Sequence, residues 1–232
     1  MKILAIETST ETASVALLEG ERIGERSVAG RPGHSETLLP EILGLLADAG
    51  VALADLDAIA YGAGPGAFTG LRLACGVVQG LAMGANKPAI PVGTLEALAS
   101  QCADESGAIF IAVDARMSEV YFAAYERRDG ALIERLAPAC AAPADVRLPA
   151  EGEWFGFGSA FKAYGDTLVP ALGERLKGFD ASPLPQASSV ARLAAQRFVR
   201  GETIDAALAA PLYVRDKVAM TTAERLARGG KA

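Results

Sequence analysis

The segment GAGPGAFTG, residues 62–70, sets four glycines between an apolar run and a long apolar stretch. A glycine-rich loop between a strand and a helix aims backbone N–H groups and a helix N-terminus at one point, which suits a phosphate. Gly62, Gly64 and Ala67 even satisfy the dinucleotide spacing GxGxx[G/A]. The rest of such a site is missing. No GK[ST] follows. No acidic residue stands between Asp57 and Glu96, where a ribose-binding carboxylate would sit about 20 residues on. The segment reads as a tight turn before a helix.

Two carboxylates hold candidate positions. Glu7 follows the apolar run Ile3 to Ile6, and Asp114 follows a similar run at 108–113. The carboxyl ends of strands face the cleft of an open α/β sheet, where Glu7, Ser9 and Asp114 could hold Mg²⁺ and phosphate. Both acids also stand among turn formers, in ETST and DARMS, and turn capping is the favoured reading. Gly156 and Gly158, in GFGSAFKAY, could belong to a nucleotide-facing loop; such loops are more often plain turns.

Other chemistry is excluded by counting. His34 is the sole histidine, and Cys75, Cys102 and Cys140 stand far apart with no CxxC. They cannot supply an ordinary transition-metal shell. No GxSxG elbow is present. The net charge of −6 argues against direct, unaided nucleic-acid binding and leaves a route through a basic partner open. Isolated cysteines fit a reducing compartment. By run length, no stretch approaches the roughly 20 apolar residues of a membrane span. These features predict a soluble, cytoplasmic chain with no membrane association.

The elements that position these residues follow from periodicity. KILAIET, ASVALLEG and ERIGERSVAG read as three antiparallel strands. SETLLPEILGLLADAG is a helix, with Pro40 either in its first turn or kinking it. LDAIAYGAG is a strand, followed by the glycine-rich helix, the short strand KPAIPVG and a helix opened by Thr94. Near residue 105 the order restarts. GAIFIAVDA and EVYFAAYERRDG are adjacent strands and ALIERLA a third. APACAAPADVRLPA reads as a connection with one helical turn, EWFGFG as a strand, and SSVARLAAQRFVRGE as a helix capped by Ser188 or Ser189. The plan is α/β, with βββαβα twice. The lobes divide as 1–104 and 105–219, with a tail at 220–232.

The helix at 68–85 is unusual. Gly76, Gly80 and Gly84 recur every four residues, and each costs up to ~1 kcal/mol relative to alanine. One side carries Gly70, Ala74, Val77, Leu81 and Gly84, a second Leu71, Cys75, Val78, Ala82 and Ala85, and a third Arg72, Gly76, Gln79, Gly80 and Met83. A helix apolar nearly all round needs cover on more than one side. Glycines at this spacing let another helix come close. An interface and a large core are both open readings.

ILAIETSTETASVAL, HSETLLPEI, GPGAFTGLRLACGVVQGLA, VDARMSEVYFA and PLYVRDKVA, in this order along nearly the whole chain, together resemble the bacterial TsaB (YeaZ) family. The resemblance implies an actin-like (ASKHA) fold of two RNase H-like lobes around a cleft. It implies a role in forming N6-threonylcarbamoyladenosine in tRNAs reading codons that begin with A, as the non-catalytic partner of a TsaD-like transferase, with a TsaE-like ATPase joining them. ATP or ADP and metal are then expected in the partner subunits and no cofactor in this chain, with tRNA reached only through the complex.

In this family the helices corresponding to 35–49 and 68–85 pack on the same helices of TsaD, or on a second copy in a homodimer. The resemblance therefore places Leu38, Leu39, Ile42, Leu71, Cys75, Val78 and Ala82 among the contacts, and Arg72, Gly76, Gln79, Gly80 and Met83 in the same interface. A freestanding actin-like kinase or ATPase is disfavoured by the missing phosphate motifs. A peptidase-like hydrolase is disfavoured by the missing nucleophile and base.

Overall fold

The computed structural model describes residues 1–28, 34–102 and 107–215. The tail at 220–232 and the end of PLYVRDKVA lie outside them. Two five-stranded sheets share one plan. The first runs β3 (Arg22–Val28), β2 (Ala13–Glu19), β1 (Lys2–Glu7), β4 (Ala58–Gly64), β5 (Ala89–Gly93). The second runs β8 (Ala131–Ala141), β7 (Val120–Arg128), β6 (Ala108–Asp114), β9 (Trp154–Phe157), β10 (Leu176–Asp180). In each, the first three strands are antiparallel neighbours and the fourth joins the first in parallel.

The second sheet corrects two readings. The third strand runs on through Pro138 to Ala141, where a connection was expected, with only a short helical turn at Pro143–Asp145 after it. Proline is tolerated because β8 is an edge strand. The sequence also gave no sign of β10, a five-residue edge strand holding a lysine, a glycine and an aspartate.

Both faces of both sheets are covered. β1 shows why its run is continuous: Leu4 and Ile6 point to one face and Ile3 and Ala5 to the other, and all are buried. The first face carries α1 (His34–Ala49) and α2 (Phe68–Ala85). The helix α1 continues through Pro40, whose side chain is exposed. By length and composition α2 is apolar enough to cross a membrane, which run length had not suggested. In the fold it lies with one side on sheet 1, as a layer helix does.

The lobes exchange their last helices. α3 (Thr94–Ser100) sets Leu95, Leu98 and Ala99 against β6 and β7 of the second sheet. α5 (Ala187–Val199) sets Ala187, Val190, Ala191 and Ala194 against Ile3, Ala5, Ala16 and Ile90 of the first. The remaining face of sheet 2 is covered by α4 (Ala160–Leu172). The division near residue 104 thus separates the two sheets, and α3 and α5 cross it in opposite directions. They also touch each other.

The start of α5 is held from the other lobe. Neither Ser188 nor Ser189 caps it: Gln186 occupies the cap position and makes no side-chain bond. The Ala187 amide donates instead to Ser14 Oγ on β2 (2.8 Å) and the Ser188 amide to Glu25 Oε1 on β3 (3.1 Å). Ser14→Ala should therefore cost about 1–2 kcal/mol in a urea titration, by stranding a buried amide at a helix N-terminus. An unchanged midpoint would mean the helix is seated by apolar packing alone.

Candidate functional site

The glycines of residues 62–84 fall into two sets. The inner set receives the turn after β1. A Cβ on Gly62 would lie 2.0 Å from Glu7 Oε2, one on Gly66 2.5 Å from Ser9 Cβ, and one on Gly70 1.9 Å from the Thr8 carbonyl oxygen. Thr8 Oγ1 donates to the Gly70 carbonyl (2.7 Å), and the Ala67 amide donates to the Ser9 carbonyl (2.7 Å). The phosphate-like loop is therefore a seam against the chain's own backbone. The outer set, Gly76, Gly80 and Gly84, is exposed, and among the described residues a Cβ on any of them would meet nothing within 4 Å.

This seating decides which side of α2 faces out. Leu71, Ala74, Cys75, Val78 and Ala82 are buried, as are Leu38 and Ile42 of α1. The contact list drawn from the resemblance is corrected accordingly. Leu38, Ile42, Leu71, Cys75, Val78 and Ala82 are occupied by the chain's own core and offer nothing to a second body. Burial pushes the Cys75 thiol up to about 11. Gln79 is also committed, its Nε2 donating to the Ala209 carbonyl (2.9 Å).

Of the expected contacts, Leu39, Arg72, Gly76, Gly80 and Met83 lie outside. Thr69, Arg72, Gly76, Gly80 and Met83 make one exposed stripe, with Gly84 beside its end. Met83 is 62 % exposed, and on the neighbouring α1 Leu39 is 42 % and Leu43 57 % exposed. Leu43 was not singled out from the sequence, though it stands one turn beyond Leu39. The signal for the outward side was there: Arg72, the one charged residue of α2, marks it.

A concavity of about 710 Å³ opens between the lobes. Its walls include Ser9 to Thr12 and Pro65 to Phe68 on one side, and Val113 to Arg116, Ser159 and Lys162 on the other. Of the five expected cleft residues only Ser9 and Asp114 line it. Glu7 lies beneath the turn, wholly buried, with Oε1 accepting the Ser9 amide (2.6 Å) and Oε2 without a hydrogen-bond donor among the described residues. Gly156 and Gly158 are used for packing: their Cβ atoms would strike the Phe161 ring and the Ala112 carbonyl.

Asp114 does on its strand what Glu7 does on β1. Its Oδ1 accepts the Arg116 amide (2.8 Å) and the Tyr164 hydroxyl (2.8 Å), and its carboxylate pairs with Arg116 Nη1 (3.3 Å). Both acids cap the turn that leaves the first strand of their lobe. Among the described residues no three His, Cys, Asp or Glu side chains come together to hold a metal ion.

The family model for TsaD, tRNA N6-adenosine threonylcarbamoyltransferase, matches residues 28–223. The chain is 36 % identical to the tRNA threonylcarbamoyladenosine biosynthesis protein TsaB of Escherichia coli, covering 94 % of this chain and 96 % of that one. It is 34 % identical to the Haemophilus influenzae protein of the same name, over 94 % and 95 %. The solved structure of YeaZ from Pseudomonas aeruginosa superposes with a TM-score of 0.83 at 39 % identity, covering 91 % of this chain and 99 % of that one.

Two outcomes test the site's construction. Gly70→Ala should lose about 3 kcal/mol, because backbone must move to admit the methyl. Gly80→Ala should gain about 0.5–1 kcal/mol in the monomer, from helix propensity with no clash. Urea midpoints at concentrations where the chain is monomeric decide this, and equal effects would refute the two-set reading. Burial raises the Glu7 pKa above its ordinary 4.5 and outweighs the opposing hydrogen bond from the Ser9 amide. The folded chain thus holds that proton more tightly than the unfolded one. The stability Glu7 contributes is full below pH 4.5 and is lost as pH rises through the folded pKa. Glu7→Gln should therefore be the more stable protein at neutral pH, with the difference closing toward pH 4.

Proposed function

The chain belongs to the TsaB (YeaZ) family of tRNA threonylcarbamoyladenosine biosynthesis proteins, and we propose that it serves there as a non-catalytic subunit docking on a TsaD-like transferase through the outer faces of α1 and α2. The observation that carries this reading is the outer glycine stripe. Each of Gly76, Gly80 and Gly84 is unfavourable in a helix interior by up to ~1 kcal/mol, and nothing among the described residues requires any of them. Their use is to leave a shallow groove, flanked by the exposed Leu39, Leu43 and Met83. Apolar side chains around a groove of glycines let a second helix lie close to the backbone and bury its own apolar face.

The non-catalytic part rests on the acids. Glu7 is sealed and Asp114 is engaged in its turn, so neither stands free as a general base. In this reading the catalytic metal and nucleotide belong to the partner subunits, and the chain itself needs no cofactor. A TsaE-like ATPase completes the assembly. The tRNA, of the class reading codons that begin with A, is engaged through the complex, in keeping with the chain's net charge of −6. Alone in the cytoplasm, the chain pairs with a second copy through the same face, since a homodimer covers the groove in the partner's absence.

Light scattering of the pure chain, alone and mixed with the TsaD-like protein of the same cell, tests this. A homodimer giving way to a mixed complex supports it. Gly80→Leu fills the groove and should weaken the mixed complex by tenfold or more, roughly the effect of one interface anchor lost. A monomer indifferent to the partner, or a Gly80→Leu chain that assembles normally, sinks the proposal.

A further inference from the structure

The lobes are joined in two places of different character. At the base, α3 and α5 cross between them and are locked into the cores. At the mouth of the cleft, residues 209–215 run from one lobe to the other and line the cavity with Leu212, Tyr213, Val214 and Arg215. The docking role does not use this segment.

The first part of this segment is fastened to lobe 1. Gln79 donates to the Ala209 carbonyl (2.9 Å). The buried Tyr61 hydroxyl accepts the Ala210 amide (3.0 Å) and donates to the Ala210 carbonyl (3.2 Å). The Leu212 amide donates to the Ala63 carbonyl (2.7 Å). Tyr213 packs on Phe68, and its hydroxyl accepts Arg72 Nε (3.0 Å). Arg215 then crosses to lobe 2. Its Nη2 donates to the carbonyls of Ala115 (2.9 Å) and Arg116 (3.3 Å) and pairs with Glu119 (2.6 Å), with the side chain only 13 % exposed.

The target of Arg215 is a strained turn. Arg116, Met117 and Ser118 have φ of +59°, +56° and +60°, three successive left-handed residues without a glycine. Such residues are disfavoured and persist only where their surroundings hold them. The turn's own bonds are Glu119 N–H to the Arg116 carbonyl (3.1 Å) and Ala115 N–H to the Glu119 carbonyl (2.9 Å). Arg215 adds a charged donor to two carbonyls at the start of this turn. Arg116 also reaches across the mouth to Glu11, but both are exposed (67 % and 82 %), where an ion pair holds weakly.

We propose that residues 209–215 form an interlobe strap, with Arg215 as the latch that fixes both the β6–β7 turn and the opening of the cleft. The base can bend at the α3–α5 crossing only as far as this strap allows. The strap hangs on α2 through Gln79 and Arg72, so the latch and the helix with the outer groove are parts of one mechanical unit.

Spin labels at Thr12→Cys and Lys162→Cys, on opposite walls of the cleft, measure the opening in a Cys140→Ser background, which keeps a hydrogen-bonding group beside Glu119. With Arg215 intact the label–label distances should be narrowly distributed. Arg215→Ala should lengthen and broaden them, and Glu119→Gln, which removes only the charge partner, should do so less. Amides of Ala115 and Glu119 should exchange about tenfold faster in Arg215→Ala, the effect of losing a charge-assisted bond, while those of β1 and β4 keep their rates. Unchanged distances in both variants overturn the proposal. So does exchange that accelerates equally throughout the chain, which would make Arg215 a general stabiliser.

Discussion

The contact between the Thr8 carbonyl and the backbone of Gly70 orients everything else of consequence. No residue but glycine fits there. Thr8 Oγ1 and the Ser9 carbonyl add hydrogen bonds on either side of it. Once the first turn of α2 is seated on the β1–β2 turn, the rotation of the helix is set. Leu71, Cys75, Val78 and Ala82 must then lie on the sheet, and Arg72, Gly76, Gly80 and Met83 must face away. The outward stripe of Gly76 and Gly80 is thus a consequence of a packing seam on the opposite side of the same helix.

The same turn decides what the two strand-end acids do. Glu7 is where a strand-end acid could address a ligand, but it lies under the turn with its carboxyl against Gly62. Asp114, its counterpart, stays at the surface of the cleft and spends its hydrogen bonds on Arg116 and Tyr164. The duplicated architecture is retained, and the acids at the two equivalent positions hold loops in place. Exchange of α3 and α5 between the lobes then makes the pair a single body, in which the first sheet cannot complete its core without a helix from the far end of the chain.

Much of this was legible in the sequence. The strands of the first sheet, α1, α2 and the restart near residue 105 follow from periodicity and turn formers. The outward side of α2 was signalled only by Arg72, because the helix is apolar on nearly every other side and the glycines at 62, 66 and 70 have the same spacing as those at 76, 80 and 84. What separates the two sets is the β1–β2 turn, some 60 residues earlier in sequence, and no local pattern reports it. The destination of α5 was hidden for a related reason. Its cap is Ser14, in another lobe, while Ser188 and Ser189 beside it offered a plausible local answer. The strap has no periodicity at all; its order comes from single hydrogen bonds to Tyr61, Ala63 and Gln79.

The central claim is that one side of α2 belongs to the chain and the other to a partner. Hydrogen exchange of the chain with and without the TsaD-like protein tests it directly, read peptide by peptide. The account predicts new protection over residues 39–43 and 76–84, with the seam at 62–70 already protected in the free chain and unchanged. Protection confined to the cleft walls at 9–12, 113–116 and 159–163, with α1 and α2 unaffected, would contradict it.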